Sequence, residues 1–152
     1  MAEHVLSVTL KELASAPDLE RVSHVVRTVA RTLVGADGVT FVLRQGDQCC
    51  YVEEDAIGPL WKGQQFPLTA CVSGWVMLNA QHAVIPDVYA DPRVPPDAYR
   101  RTFVKSLAMV PVGQDNPLAA IGAYWARHHS ATDEEVEILR ALADSAALAL
   151  YR

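Results

Sequence analysis

The sequence has no long hydrophobic run, no leader-like N-terminus and no excess of positive charge. Its longest nearly unbroken apolar stretch, residues 118–126, is about half of the ~18 residues that a membrane span needs. The charged side chains of Glu3, Lys11 and Glu12 interrupt any signal-peptide core near the N-terminus. Lysines and arginines number 13 against 18 aspartates and glutamates, a formal net charge of −5. We therefore expect a cytoplasmic protein that binds neither membranes nor nucleic acids.

Cysteine is also scarce. The three residues, Cys49, Cys50 and Cys71, form no Cys-x-x-Cys pair. Neighbouring residues of a strand point to opposite faces of the sheet, so Cys49 and Cys50 cannot both hold one metal ion. The five histidines are scattered apart from the adjacent His128 and His129, to which the same objection applies. These counts predict reduced, buried thiols and no metal site.

The chain does have enough apolar residues for one folded domain. It is 152 residues long and 51% hydrophobic, and a domain of this size buries about 68–70% of its unfolded surface. That apolar fraction is too high, and the net charge too small, for a disordered chain. We predict a single domain over residues 1–152, with an N-terminal helix in 1–14 and the core of the domain in 15–152.

Helical spacing of apolar residues predicts helices at both ends of the chain. Residues 4–14 have one apolar face, and Ser15 is the expected cap of a second helix with Asp18 in its first turn. A Thr132–Glu135 capping box begins the last helix. Apolar residues in steps of three and four mark the second and last helices: Leu19, Val22, Val26, Val29 and Leu33, then Val136, Leu139, Ala143, Ala146 and Leu150.

Segments of β-branched and apolar residues predict two hairpins. The first joins residues 39–44 to 49–53, and the second joins 106–112 to 118–127. The strands of the second hairpin are apolar at nearly every position, so both faces of the sheet are expected to be covered. The pattern predicts an α+β sandwich of three layers, with the terminal helices on one face of the sheet and residues 72–105 on the other.

Residues 72–105 form an excursion between the two hairpins. A short helix is predicted from Ser73 to about Ala80 and a brief strand at Ala83–Ile85, where Pro86 stops it. A long connection over residues 87–105 follows, with a helical turn near 98–102. Connections of this length inside a compact domain are usually functional or mobile.

Taken together and in order, several short segments resemble a GAF domain, the small-molecule sensory module of signalling proteins. Each segment alone has little specificity, whereas the ordered set over residues 15–152 is specific. The segments are Ser73–Val76, Val84–Val88, Asp91–Arg93, Ser106–Val112, Ile121–Tyr124, Thr132–Glu135 and Ala143–Leu150.

This resemblance implies a central antiparallel sheet of five to six strands and a non-enzymatic sensory function. The segments are most similar to GAF domains that lie N-terminal in bacterial sensor histidine kinases, and no kinase catalytic motif is present. The last helix has no stop signal before the chain ends at Arg152. We expect it to continue into a kinase or another effector of a two-component system, and we expect a homodimer formed through the terminal helices.

The resemblance also implies where a ligand would bind, between the sheet and residues 72–105. Arg93 and Arg101 are candidate contacts for an anionic group. The expected ligand is an unidentified small molecule. In the alternative interpretation, the aromatic side chains belong to the core and the basic side chains are charges exposed to solvent. The full set of candidate ligand-binding residues is Phe41, Trp75, Tyr89, Arg93, Tyr99, Arg101, Phe103, Ala108 and Tyr124.

Other functions known for GAF domains lack their motifs here. Cyclic-nucleotide-binding members have an Asp–Glu pair after a phenylalanine, whereas Phe103 is followed here by Val104–Lys105–Ser106. Bilin-binding members have a cysteine followed by histidine, whereas Cys71 is followed here by Val72. No motif supports haem. Free methionine-(R)-sulfoxide reductases have a cysteine directly before the helix glycine, where this chain has Ser73 before Gly74. A ligand-free dimerisation module and, less favoured, such a reductase remain as alternatives.

Overall fold

The computed structural model describes residues 2–151 as five α-helices and six β-strands, with two 3-10 turns at Leu68–Ala70 and Val88–Ala90. The helices are α1 Ala2–Ala14, α2 Leu19–Val34, α3 Val72–Asn79, α4 Pro96–Tyr99 and α5 Asp133–Leu150. The strands are β1 Gly38–Gln45, β2 Gln48–Ala56, β3 Gln65–Pro67, β4 Ala83–Ile85, β5 Ser106–Val112 and β6 Ala119–Trp125.

The strands form one antiparallel sheet in the order β3-β2-β1-β6-β5-β4. The two predicted hairpins supply β1–β2 and β5–β6, and the pairing of β1 with β6 joins them. Gly46, at φ 64°, makes the first turn, a conformation that glycine adopts without steric cost. The predicted α+β class and antiparallel sheet are confirmed. Strand β3 was not predicted, because three residues ending in Pro67 give too short a pattern.

Helices α2 and α5 cover one face of the sheet, and α1 packs against these two helices. Val22 and Val26 of α2 and Leu139 and Leu142 of α5 pack on strand residues such as Ile121. The buried cluster on this side, with Phe41, Val110 and Trp125 among its members, is called the helix-face core below. The predicted spacing finds the helices, but it assigns some residues wrongly to their buried faces. Leu19, which the spacing places on the apolar face of α2, has 37% of its surface exposed.

The cap of α2 corrects one prediction. Asp18, and not Ser15, is its N-cap residue, and the Asp18 carboxylate accepts a hydrogen bond from the Arg21 N–H at 2.9 Å. The Ser15 hydroxyl instead donates to the Lys11 carbonyl at 2.8 Å and so belongs to the end of α1. The sequence did not separate the two candidates because serine and aspartate both cap helices well. In the structure Ser15 lies too early, since Pro17 stands between it and the first turn of α2.

Helix α3 and residues 86–105, called the lid segment below, cover the opposite face. Val76 and Met77 of α3 pack with Leu107 and Met109 of β5 in a second buried cluster, the lid-face core. The Lys105 N–H donates to the Trp125 carbonyl at 2.9 Å, which ties the end of the lid segment to β6. Within residues 2–151, no helix is both long and apolar enough to cross a membrane.

Candidate functional site

A cleft of about 410 Å³ opens between α3 and the lid segment. The short turn that precedes α3 forms one wall, and Pro92–Pro96 form the other. Most of its lining is apolar, with polar groups at a few positions, which is typical of small-molecule sites. Its lining residues are Leu68, Thr69, Ala70, Cys71, Trp75, Leu78, Asn79, Pro92, Arg93, Val94, Pro95 and Pro96.

Trp75 and Arg93, which both line this cleft, stack directly on each other. The Arg93 guanidinium carbon lies 4.4 Å from the centre of the Trp75 ring, a cation–π distance. Asp91 fixes the guanidinium from the side, because its carboxylate accepts hydrogen bonds from Arg93 Nε at 3.0 Å and Nη2 at 2.8 Å. This pairing raises the pKa of Arg93 and lowers the pKa of Asp91. The cleft therefore contains a permanently charged, flat group held in one orientation.

Cys71 lines the cleft directly before the first turn of α3. Its sulfur lies 3.3 Å from the Cys49 sulfur and 3.3 Å from the Ser73 hydroxyl oxygen. The Ser73 oxygen lies 3.0 Å from the Tyr51 hydroxyl. The Cys49 thiol, the Ser73 hydroxyl and the backbone N–H groups of Ser73 and Gly74 hold the pKa of Cys71 well below its usual range, against the effect of burial. Cys71 is thus the acidic thiol of the pair.

Aromatic rings fill the space beneath the cleft. The Trp61 ring centre lies 4.6 Å from that of Tyr99, 5.3 Å from Tyr124 and 5.5 Å from Tyr51. Burial raises the pKa of all three tyrosines, which stay neutral. Trp61 Nε1 also donates to the Ala98 carbonyl at 2.9 Å, which connects this cluster to the lid segment. Because these rings occupy the interior, the open space on this face is the cleft above them.

A carboxylate positions Trp61, and sequence reasoning missed both residues. Glu54 at the end of β2 accepts hydrogen bonds from the backbone N–H groups of Leu60 at 3.0 Å, Trp61 at 2.9 Å and Lys62 at 2.8 Å. These bonds turn the loop after β2 back onto the sheet. The available signal was a tryptophan in a loop with Gly58–Pro59 and Gly63, since so large an apolar ring is rarely left in water.

Four predicted ligand-binding residues on this face lie on or below the cleft. Trp75 and Arg93 line it, and Tyr99 and Tyr124 belong to the ring cluster beneath it. Phe103 packs in the lid-face core and covers Gly38 at the start of β1.

Phe41 and Ala108 are the two clear errors among the predicted site residues. Both lie in the helix-face core, on the far side of the sheet from the cleft. Their neighbours Val42 and Leu107 face the lid instead. A strand that is apolar on both faces gives no signal for which residue faces which layer, so each prediction was one position away.

Tyr89 and Arg101 lie outside the cleft. The Tyr89 side chain is 53% exposed on the short turn at Val88–Ala90, and Arg101 is exposed near the end of the lid segment. Neither is among the residues that line the cleft. For metals, no group of three or more histidine, cysteine, aspartate or glutamate side chains in residues 2–151 is placed to hold an ion.

The family model of the GAF domain matches residues 18–150. The chain belongs to the GAF domain family. In this GAF domain the match begins at Asp18, the cap of α2, and runs to Leu150 at the end of α5. A search of curated proteins finds no match.

Solved structures share this fold across nearly the whole chain. The GAF domain of an Acinetobacter phosphoenolpyruvate-protein phosphotransferase superposes with a TM-score of 0.80 at 12% identity, over 97% of this chain and 90% of that one. A free methionine-R-sulfoxide reductase from Neisseria meningitidis, solved with its substrate, gives 0.75 at 18% identity over 97% and 89%. The phycocyanobilin-bound GAF domain of a cyanobacterial phytochrome gives 0.76 at 17% identity over 98% and 93%. At such low identities these similarities show the fold alone.

Proposed function

We propose that this GAF domain is a sensory module that binds a small molecule in the cleft between α3 and the lid segment. The observation that carries the proposal is the stacked pair of Trp75 and the Arg93 guanidinium in the wall of a cleft of about 410 Å³. Ligand pockets in proteins are about 300–1,000 Å³ and combine apolar walls with a few polar groups. A ligand with an apolar body and an acceptor or anionic group matches this chemistry, because the cleft walls are mostly apolar and the guanidinium has N–H donors beyond the two that Asp91 binds.

Hydrogen bonds and ring contacts supply a route from the lid segment to the terminal helices. Lys105 at the end of the lid segment is bonded to Trp125, whose Nε1 donates to the Gly35 carbonyl at the end of α2 at 3.1 Å. The Trp125 ring also lies 4.7 Å from that of His129, just before α5. In this proposal a ligand that orders the lid segment acts on both helices through this tryptophan, whose contacts then differ between the ligand-free and ligand-bound states, as a switch requires.

We infer that the domain is the input module of a larger signalling protein, such as a two-component sensor histidine kinase. In this proposal α5 leads into the kinase or another effector, and the terminal helices form a homodimer. The exposed apolar side chains of Val5 and Val8 on α1 and Leu148 on α5 support such a contact. Three free thiols fit a reducing, cytoplasmic compartment. Light scattering behind size exclusion tests the dimer: a monomer at high concentration contradicts it.

The domain is proposed to be non-enzymatic and to work without a resident cofactor. A reductase of free methionine-(R)-sulfoxide is the competing function, and the acidic Cys71 thiol beside Cys49 is the observation that favours it. The lid segment contributes no second thiol to the cleft, since residues 86–105 contain no cysteine. Turnover of free methionine-(R)-sulfoxide with a thiol reductant, lost in Cys71→Ser, would replace the sensory proposal with the enzymatic one.

Native mass spectrometry and a thermal-shift screen of metabolites test ligand binding. We expect a bound small molecule whose affinity falls in Trp75→Ala and in Arg93→Ala. Arg101→Ala is the matched control, because it removes the same charge from the same segment at an exposed position outside the cleft. Equal loss of binding in Arg93→Ala and Arg101→Ala contradicts the cleft, and no bound molecule or thermal shift with any metabolite supports the ligand-free dimerisation module.

A further inference from the structure

Cys49 and Cys71 are in contact although they lie 22 positions apart in the chain. Cys49 lies on β2 and Cys71 at the start of α3, and their sulfur atoms are 3.3 Å apart. Cys50 points to the other face of β2, where its sulfur lies 3.3 Å from the Gln45 side-chain oxygen. The fold therefore selects one pair from three thiols that the sequence does not distinguish.

The two paired thiols are not equivalent. Cys71 is 6% exposed and lines the cleft, whereas Cys49 is 0% exposed and lies beneath it in the lid-face core. The hydrogen bond to Cys71 and burial raise the pKa of Cys49, and the same hydrogen bond lowers the pKa of Cys71. A small oxidant that enters the cleft meets the Cys71 sulfur first, with the Cys49 sulfur 3.3 Å away beneath it.

We propose that Cys71 is a site of oxidation by hydroperoxides and that Cys49 resolves it as a reversible disulfide. This activity goes beyond small-molecule sensing and depends on different atoms of the cleft from those that bind the ligand in the proposed function. Peroxide is the oxidant, and a dithiol such as a reduced thioredoxin-like protein is the class of reductant that reverses the reaction.

The chemistry balances in two steps. The Cys71 thiolate attacks one oxygen of the hydroperoxide, the O–O bond breaks, and the leaving alkoxide or hydroxide takes a proton to give an alcohol or water. Cys71 is then a sulfenic acid, oxidised by two electrons. The Cys49 sulfur attacks the Cys71 sulfur, the S–O bond breaks, and the departing hydroxide combines with the Cys49 proton as a second water. The disulfide stores the two-electron oxidation, and a dithiol exchanges with it to return both thiols.

The disulfide changes the start of α3. A disulfide needs sulfur atoms about 2.05 Å apart, so the pair must close from its present 3.3 Å. Cys49 is held by pairing of β2 with β1 and β3 on both sides, whereas Cys71 lies at the junction of a short turn and a helix. The movement therefore falls on Cys71, and it changes the contacts of the Cys71 sulfur with the Ser73 and Gly74 N–H groups at the start of α3. Trp75, one turn along α3, couples this change to the cleft.

Disulfide mapping after peroxide treatment tests the proposal. Reduced protein, freed of reductant, is treated with hydrogen peroxide in the folded state, alkylated, digested and examined by mass spectrometry. We expect the wild type to lose two hydrogens, to yield a Cys49–Cys71 cross-linked peptide and to recover both thiols with dithiothreitol. Cys50→Ser is the matched control and keeps the disulfide, whereas Cys71→Ser loses it.

Cys49→Ser separates the two steps, because Cys71 then stops at the sulfenic acid and is trapped by dimedone. A disulfide between Cys49 and Cys50, oxidation at Cys50 alone, intermolecular disulfides only, or three unmodified thiols in the treated wild type would overturn the proposal. The wild-type map decides the pairing even if a variant fails to fold. Ligand binding to Trp75 and Arg93 is measured separately, so the two proposals can fail independently.

Discussion

Gly74 marks the closest approach of α3 to the turn before it. A Cβ atom at this position would overlap the Leu68 backbone carbonyl, and backbone cannot move aside as a flexible side chain can. We predict that Gly74→Ala lowers the free energy of unfolding by at least about 1–3 kcal/mol, the usual cost of overpacking. Chemical denaturation measures it. Gly58→Ala is the control, since a Cβ there makes ordinary contact, 3.7 Å from Phe103; equal losses in both variants would contradict the clash.

The acidity of Cys71 depends on one hydrogen-bond partner more than on any other. The Cys49 thiol is the largest influence that lowers the pKa of Cys71. We predict that Cys49→Ala raises that pKa, so that iodoacetamide alkylates Cys71 more slowly near neutral pH. The rates of the two proteins converge in alkali, where Cys71 is ionised in both. Alkylation followed by mass spectrometry over a pH series measures this. Cys50→Ala should leave the profile unchanged, and a profile that moves equally in both alanine variants would rule out the proposed role of Cys49.

Helix α5 depends on the polar cluster at its first turn. Thr132 and Glu135 form a reciprocal capping box, with hydrogen bonds of 3.1 Å and 2.8 Å, and His129 Nε2 lies 2.7 Å from the Glu135 carboxylate. We predict that Thr132→Ala costs about 1 kcal/mol of folding stability, the typical loss for a cap. Thermal and urea unfolding measure it, with Ser130→Ala, just outside the helix, as the control.

The same cap gives a pH dependence. Burial raises the pKa of Glu135, but the Thr132 N–H and His129 outweigh it, and the net shift is downward. A carboxyl group whose folded pKa is depressed contributes stability above its unfolded pKa, about 4.3 for glutamate, and loses it as the pH falls through the folded value. We predict that Glu135→Gln is less stable than the wild type near neutral pH and that the gap closes on acidification. A gap that stays constant across that range would contradict this.

Sequence reasoning could find the helices and strands that are marked by patterns among neighbouring residues. Apolar spacing gave α2 and α5 their positions, and the Thr132–Glu135 capping box needs only residues three apart. The error at Ser15 has the same origin, because two good caps stood close together and only the geometry of α2 separates them. Strand β3 has three residues and is defined by its pairing with β2, which no local pattern encodes.

The candidate site could be predicted only in part, for a related reason. Trp75 and Arg93 lie on elements whose place over the sheet follows from chain order. Trp61 reaches the same region because Glu54 holds its loop through three backbone N–H groups. The Cys49–Cys71 contact depends on how β2 and α3 are stacked. Contacts of this kind follow from tertiary packing, and composition or spacing contains no signal for them.

At the scale of the whole molecule, the sheet is shared by two cores. Neighbouring residues of β5 divide between them, with Leu107 and Met109 in the lid-face core and Ala108 and Val110 in the helix-face core. Neither layer can therefore lose its packing without removing support from the strands that the other layer needs. Small single domains whose layers depend on one shared sheet in this way usually unfold in one cooperative step.

We therefore predict one unfolding transition seen equally from both layers. Trp125 lies in the helix-face core, whereas Trp61 and Trp75 lie on the lid side. Fluorescence of Trp125→Phe therefore follows the lid side, and fluorescence of the double variant Trp61→Phe/Trp75→Phe follows the helix side. Each curve should match the circular dichroism curve of the same variant. A lid-side signal that is lost before the helix signal would show instead that the lid segment and α3 melt alone. If the transition is single, a ligand bound in the cleft must raise both midpoints together by mass action, because neither layer can unfold while the other stays folded. A ligand that raises only the lid-side midpoint would contradict a single transition.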